Sequence, residues 1–428
     1  MLPATCIVLC VILLDRFPAV QSSYYNDGPC FYEQRNDGKL LKIEGVRVGY
    51  HRNLHLDGDD KNYRVTTIAM KPTIFEIPNF LTDSECEHIQ NLAKKNGLRE
   101  SVAGFEEQAY KGEIEDALKQ SENENYALHL PEFVDHFYEW DRNGDSFITM
   151  DEVKEMCERS NGLFFSENEI TDMFSKINYS LFDDGRINED EFNLLPFNKL
   201  DAYLNFVHSK HPFHRPRYSE HTWLTEQKQK DPVLTKVYDR IIRLTQLPRK
   251  LVDGSEDVQI VRYNIRGHYH AHYDSTPEDF GKNVVCCHQN HDRHKECKLC
   301  RILTVLYYLN DVDEGGETAF LVADNTTLDV KLQVPAVTYL KSLNKMFNLS
   351  KRCHTSNLLI PARKGTAIMW YNHEVDPRSG WLGDLDYHTI HGGCDVLRGE
   401  KWIANSWINA PTSESAHVSS VFNVNDKH

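Results

Sequence analysis

The sequence predicts an α+β protein whose C-terminal half is built from short strands and whose preceding part is largely helical and acidic. Three observations lead there. From Val258 to Asn409, apolar and aromatic runs such as ILTVLYYL, NLLIP and TAIMWYN alternate with Gly, Asp and Asn turn signals, the pattern of a closed or two-sheet β architecture. Val233 to Leu247 carries apolar residues at three and four spacing and stops before Pro248, so it reads as a helix burying Val237, Ile241 and Leu244. Between Asp141 and Glu152, oxygen-bearing residues recur at the spacing of a cation-binding loop between helices.

Within the strand-rich half, VQIVRYNIRGHYHAHYD (Val258 to Asp274) alternates apolar and polar residues, and suggests two strands joined near Asn264 to Gly267. Residues i and i+2 of a strand face the same side, which lets His272 and Asp274 reach one metal while His391 arrives from a neighbouring strand. Two imidazoles and one carboxylate hold octahedral Fe(II) by one face and leave the other face open. On strict alternation His268 and His270 share the face of His272, so local spacing alone does not select the ligand. Lys401 opens the run KWIANSWI, whose alternation could aim its ammonium into a cavity as a compact positive charge for a carboxylate. Arg262, on the other face from Tyr263, reads as an ion-pair partner.

The helical part contains DRNGDSFITMDE, in which Asp141, Asn143, Asp145, the Phe147 carbonyl, Thr149 and Glu152 match the ligand positions of an EF-hand calcium loop, with Ile148 at its apolar position. Ser146 stands where that loop usually has Gly, a substitution expected to lower affinity. A second loop, Ser180 to Glu191, offers Asp184 and Glu191 but has Ser180 and Phe182 at the first and third positions, and reads as a structural partner with a possible second site.

Four blocks in order resemble the 2-oxoglutarate and iron dependent prolyl 4-hydroxylases, most closely the transmembrane, endoplasmic reticulum form. They are Tyr263, Gly267, Tyr269, His272 and Asp274; then Arg301, Thr304, Tyr308 and Leu309 with Gly315, Gly316, Glu317, Thr318 and Phe320. Pro361, Gly365, Ala367, Trp370 and Asn372 form the third; His391, Gly393, Cys394, Val396, Gly399, Lys401, Trp402, Asn405 and Trp407 form the last. The resemblance implies a double-stranded β-helix, a jelly-roll barrel with the metal inside one open end. It implies His272, Asp274 and His391 on iron(II), and Lys401, Tyr263 and Thr318 on the distal carboxylate of 2-oxoglutarate. It also implies ascorbate as reductant, a proline-containing protein or peptide as substrate, and an EF-hand pair inserted before the catalytic core. Cys300 and Cys353 align with cysteines of the resembling enzymes, which implies a disulfide between them. Asp395, where relatives often have Pro, and Asn264 to Arg266, where they often have a Gly-rich turn, depart from the pattern. The expected organisation is a signal peptide or truncated membrane anchor over 1–23, the first part of the catalytic domain over 62–120 and an EF-hand pair over 125–210. The catalytic core follows over 215–412 and a polar tail over 413–428.

A net charge of -16 argues against nucleic acid as a partner. The apolar run Ala4 to Leu14 is too short for a helical span and reads as a signal-peptide core or the end of an anchor, either of which sends the folded part into the secretory pathway. The resemblance implies a membrane-anchored enzyme with its catalytic part in the lumen of the endoplasmic reticulum. The cluster Cys286, Cys287, His288, His291, His294, Cys297 and Cys300 has the composition of a zinc site, but an oxidising lumen favours disulfides. Asn325 and Asn348 are N-glycosylation sequons for a luminal chain. Two alternatives stand beside proline hydroxylation: a hydroxylase of another residue such as lysine, and a calcium-responsive binding protein without turnover. The second would typically have lost a ligand or the anchoring lysine. The sequence leaves the oligomeric state open.

Overall fold

The computed structural model describes residues 40–57, 61–101, 113–123, 125–128, 130, 132–180, 182, 184–228, 230–275, 299–324 and 348–411. The N-terminal apolar run, Asn325, Cys286 to Cys297 and the polar tail lie outside them. Among the described residues no helix is long and apolar enough to cross a membrane.

The architecture is two antiparallel sheets enclosing a cavity, the double-sheet arrangement that the strand pattern predicts. The larger sheet has the strand order His51–His55, Asn62–Met70, Thr73–Ile77, Ala367–Tyr371, Leu299–Tyr308, Lys401–Pro411, Gln259–Tyr263, Glu220–Trp223, Arg99–Glu100. The smaller runs Leu358–Ile360, Thr318–Phe320, His391–Gly393, His268–His272, Arg217–Tyr218. Lys401–Pro411 is buried throughout because it sits mid-sheet with structure on both faces.

One face of the large sheet is covered by helices. Pro232–Thr245 forms because Pro stands at its first turn and the Asp231 carboxylate accepts from the N–H groups of Val233 and Leu234. It buries Leu234, Val237, Ile241 and Leu244 in the main core, as the spacing predicts. The same face carries Arg240, 0% exposed, a charge that apolar periodicity does not foresee. Its guanidinium holds Asp57 and Glu85 at 2.5 and 2.7 Å and the Phe80 carbonyl at 2.8 Å. These contacts join this helix to Asp83–Asn96 and to the chain leading into Asn62–Met70. Breaking one side of such a pair would cost about 3–5 kcal/mol, because an uncompensated charge stays buried.

The helical segment lies between two paired strands of the large sheet: Arg99 pairs with His221 and Glu100 with Glu220. It has its own core, including Trp140, Ile148, Phe165, Ile170, Phe192 and Leu204. Its two loops meet through a short ladder, Ile148 with Ile187 and Thr149 with Arg186. The first loop is wound around Asp141, whose carboxylate accepts from the N–H groups of Gly144, Asp145 and Ser146. Ser146 takes φ of +70° there, the left-handed conformation that glycine adopts without penalty, and Gly185 takes +81° at the matching place in the second loop.

Candidate active site

The two strands Gln259–Tyr263 and His268–His272 form where alternation predicts, joined by a turn at Asn264 to Gly267 in which Arg266 has φ of +65°. The expectation that His268, His270 and His272 share a face is overturned. Tyr269 pairs with Gly393 and His272 with His391, three residues against two, so a β-bulge falls between Tyr269 and His272. The extra residue rotates His272 onto the face of Tyr269, where the rings stack with centroids 3.6 Å apart. His268 and His270 stack with each other at 4.3 Å, and neither lines the cavity.

The bulge brings His272, Asp274 and His391 together with their ligand atoms all within 4.8 Å of one another. His272 Nε2 lies 3.7 Å from Asp274 Oδ1, and His391 Nε2 lies 3.7 Å from Asp274 Oδ2. Each imidazole has its Nδ1 at a backbone carbonyl, His272 at His270 O (2.9 Å) and His391 at Thr389 O (2.8 Å). The proton is thus held on Nδ1, and the Nε2 lone pairs face the gap where a cation would sit. Burial pushes the His391 pKa down to about 4 against the pull of Asp274, so the ring is in its neutral, ligating form. Burial alone would raise the pKa of Asp274. The Thr304 hydroxyl that donates to it and the neighbouring charge, the Arg301 guanidinium included, override this and hold the carboxyl below the usual range.

A hydrogen-bond chain orients that carboxylate. Thr304 Oγ1 donates to Asp274 Oδ2 (2.7 Å), Asn372 Nδ2 donates to Thr304 Oγ1 (2.9 Å), and Trp370 Nε1 donates to Asn372 Oδ1 (2.9 Å). Asn372 follows Ala367–Tyr371, which pairs with Leu299–Tyr308, the strand bearing Thr304. Thr304, Trp370 and Asn372 belong to the blocks that suggested the family, but the sequence assigned them no role.

At the other end of the cavity Lys401 is 2% exposed and has no ion pair among the described residues. Lys401 is the cross-strand partner of Tyr263, and its Nζ lies 5.5 Å from the Tyr263 ring and 5.8 Å from that of Tyr308. Thr318 lies across on the small sheet and accepts from Tyr308 O–H at 2.8 Å, which leaves its own hydroxyl proton to give. Burial pushes the Lys401 ammonium down to about 7, with the Glu317 carboxylate opposing. A buried cation with a hydroxyl across the cavity fits a carboxylate, just as two imidazoles that turn Nε2 to one carboxylate fit iron(II). The cavity between holds about 330 Å³ and is also lined by Arg217, Tyr273, Arg301 and Trp407. Arg301 donates to Asp274 O (3.2 Å), pairs with Glu256, and lies 3.7 Å from the Trp407 ring.

The expected Cys300–Cys353 disulfide is corrected: Cys353 bonds Cys394, with Cα atoms 5.7 Å apart. Cys353 follows the helix Leu349–Arg352, which packs on the small sheet beside the end of the His391 strand, whereas Cys300 belongs to the large sheet. Cys300 is also disulfide-bonded. Asp395 accepts from Ser350 Oγ at 2.6 Å, tying that helix to the chain just beyond His391–Gly393. Arg262 pairs with Glu220, the ion-pair role its face implies.

Thr304→Val removes one hydroxyl and leaves Asp274 free to turn. Iron(II) affinity, read by competition with a chelator, is expected to fall about 10–100-fold while the far-UV circular dichroism is retained. Unchanged affinity would show that the chain does not orient the carboxylate.

A family model described as the 2OG-Fe(II) oxygenase superfamily matches residues 258–409. The chain is 34% identical over 381 residues to the transmembrane prolyl 4-hydroxylase of Homo sapiens, covering 88% of this chain and 71% of that protein. It is 32% identical over 197 residues to the probable prolyl 4-hydroxylase 4 of Arabidopsis thaliana, covering 46% of this chain and 54% of that one. A solved viral collagen prolyl hydroxylase from Paramecium Bursaria Chlorella virus-1, in its 2OG complex, is 26% identical, covers 45% of this chain and 80% of its own, and has a TM-score of 0.29. With the metal-ligand geometry of the cavity and a relative matched over most of both lengths, the chain belongs to the prolyl 4-hydroxylases of the 2-oxoglutarate and iron(II) dependent oxygenase superfamily.

Proposed function

We propose that this chain hydroxylates proline residues in a protein or peptide, with O2 and 2-oxoglutarate consumed and succinate and carbon dioxide released. The observation that carries the reading is the convergence of His272, Asp274 and His391 at one end of a cavity whose other end holds Lys401, which forms no ion pair among the described residues. His272, Asp274 and His391 would hold the iron, and Lys401, Thr318 and Tyr263 the distal carboxylate of 2-oxoglutarate. Bound iron and cosubstrate supply the oxidising chemistry, with ascorbate as reductant. The protein's part is to orient and to exclude water. Thr304 fixes the carboxylate, the His270 and Thr389 carbonyls fix the imidazoles, and Trp370 and Phe320 pack on the His391 ring with centroids 4.7 and 5.3 Å away. No side chain needs to act as a general acid or base. Arg217, Tyr273 and Trp407, at the cavity lining, are available to a peptide.

The inserted helical pair reads as a calcium module interrupting one catalytic domain. Its support is the first loop, where Asp141, Asn143, Asp145, Thr149 and Glu152 stand at ligand spacing and Glu152 bridges both loop ends, accepting from Arg142 N–H and Thr149 N–H. In the second loop Phe182 packs on Phe174 at 5.0 Å, which suits a structural partner more than a second full site at Asp184 and Glu191. The transmembrane relatives, the apolar N-terminal run and the sequon at Asn348 favour a luminal, membrane-anchored enzyme of the endoplasmic reticulum.

The reading is tested by mass spectrometry of proline-containing peptides incubated with Fe(II), 2-oxoglutarate and ascorbate. A gain of one oxygen on proline with matching succinate, abolished in His391→Ala, is expected; modification of lysine instead would favour the alternative hydroxylase. Lys401 binds the cosubstrate as a cation, and its charged form is lost as pH rises through about 7. KM for 2-oxoglutarate is therefore expected to climb above that pH, at most about tenfold per unit. Lys401→Arg, which cannot be deprotonated, flattens the profile. A flat profile in the parent enzyme would remove Lys401 from this role. Calcium is expected to raise the melting temperature of the parent protein and to do so far less in Glu152→Gln; equal shifts would place the ion elsewhere.

A further inference from the structure

The bulge that turns His272 into the cavity is held from outside the catalytic sheets. At its centre is His270, 3% exposed, whose carbonyl accepts from His272 Nδ1 at 2.9 Å and whose N–H donates to the Pro216 carbonyl at 2.7 Å. The His270 ring has no hydrogen-bond partner at Nδ1 among the described residues, and it packs between neighbouring rings. On one side lies His268, with centroids 4.3 Å apart; on the other lies Phe164, 4.5 Å away and edge-on at 84°.

Phe164 belongs to the inserted segment. It follows Met150–Asn161, the helix that begins at the first loop, and precedes Glu167–Lys176. It is anchored to the chain leaving the insertion, since Phe164 N–H donates to His214 O at 3.1 Å and Phe164 O lies 3.0 Å from His214 Nδ1. That exit chain is itself fixed. Arg215, 4% exposed, donates to the carbonyls of His208 and Ser209 and pairs with Glu100, while its own carbonyl meets His268 Nε2 at 2.8 Å. The consecutive carbonyls of Arg215 and Pro216 therefore hold His268 and His270, one on each side of Tyr269.

We propose that the inserted segment is part of the metal site: Phe164 and the Arg215–Pro216 carbonyls hold the bulge at His270 and thereby aim His272. Phe164 is a positioning residue, acting through the His270 ring and backbone. Bulges next to active sites re-aim side chains, and partners of metal-bound imidazoles set ligand orientation. Here the partner of the imidazole is a backbone carbonyl whose placement depends on a ring from another part of the chain.

The inference rests on His272 being an iron ligand, and the experiment separates the two. The full chain is loaded with Co(II), and the ligand-field spectrum and the metal Kd are measured for the parent, His272→Ala, Phe164→Ala, Phe164→Tyr and Phe192→Leu. Phe164→Ala is expected to shift the spectrum and weaken Co(II) about tenfold, the lower end of the range for outer partners of a metal site. Phe164→Tyr, which keeps the ring, should match the parent. Phe192→Leu loosens the core of the insertion without touching His270 and should leave the spectrum alone. A parent-like Phe164→Ala overturns the proposal, and so does a Phe192→Leu spectrum shifted as far, since the effect would then be general loosening. A His272→Ala spectrum identical to the parent would overturn the ligand assignment beneath it. Should Phe164→Ala not fold, Phe164→Leu takes its place with the same expected direction.

Discussion

The structure is organised around a cavity that buries an anion at one end and a cation at the other without joining them. Asp274 is 6% exposed and Lys401 2%, and each would be costly to bury alone. Asp274 stays charged because the Thr304 hydroxyl donates to it and the Arg301 guanidinium lies nearby. Lys401 has aromatic rings near its ammonium and a carboxylate only at a distance, which is why burial drives its pKa down toward neutrality. Each end is suited to a group of opposite charge, whose arrival would relieve a charge the fold has already desolvated.

Keeping those charges apart requires two sheets and close backbone approach between strands. Lys401 and Tyr263 come from the large sheet; His272, His391 and Thr318 come from the small one. The small sheet is tight where it matters. A Cβ at Gly392 would lie 2.5 Å from the Tyr269 carbonyl and 2.9 Å from that of His270, so only glycine lets the His391 strand come this near the bulge. The Cys353–Cys394 disulfide and the Ser350–Asp395 hydrogen bond pin a short helix at the same edge. Asp395 thereby ties that helix to the chain just beyond the His391 strand.

The elements that depend on local pattern were legible. The helix burying Val237, Ile241 and Leu244 and the turn at Asn264 to Gly267 follow from spacing and turn chemistry, and the chain forms them as read. The candidate metal residues and Lys401 were visible as types and through the family blocks. Arg240 was not, because a charged residue within an apolar helix face becomes intelligible only when Asp57 and Glu85 are seen to meet it. Thr304 and Asn372 were present in the blocks, yet their connection to Asp274 runs between strands that are distant in sequence.

By itself the sequence determined the reaction class, a strand-rich half preceded by a largely helical part, and a set of candidate metal and carboxylate residues, because periodicity and side-chain chemistry are local properties. Tertiary structure decided which of three alternating histidines faces the cavity and which cysteine Cys353 meets. It also decided that a ring from the insertion touches the strand bearing His272. The reason is physical: alternation carries a side chain's direction along a strand only while pairing is regular. One extra residue between Tyr269 and His272 reverses that direction, and cross-strand pairing, set by chain segments far away in sequence, determines where it falls.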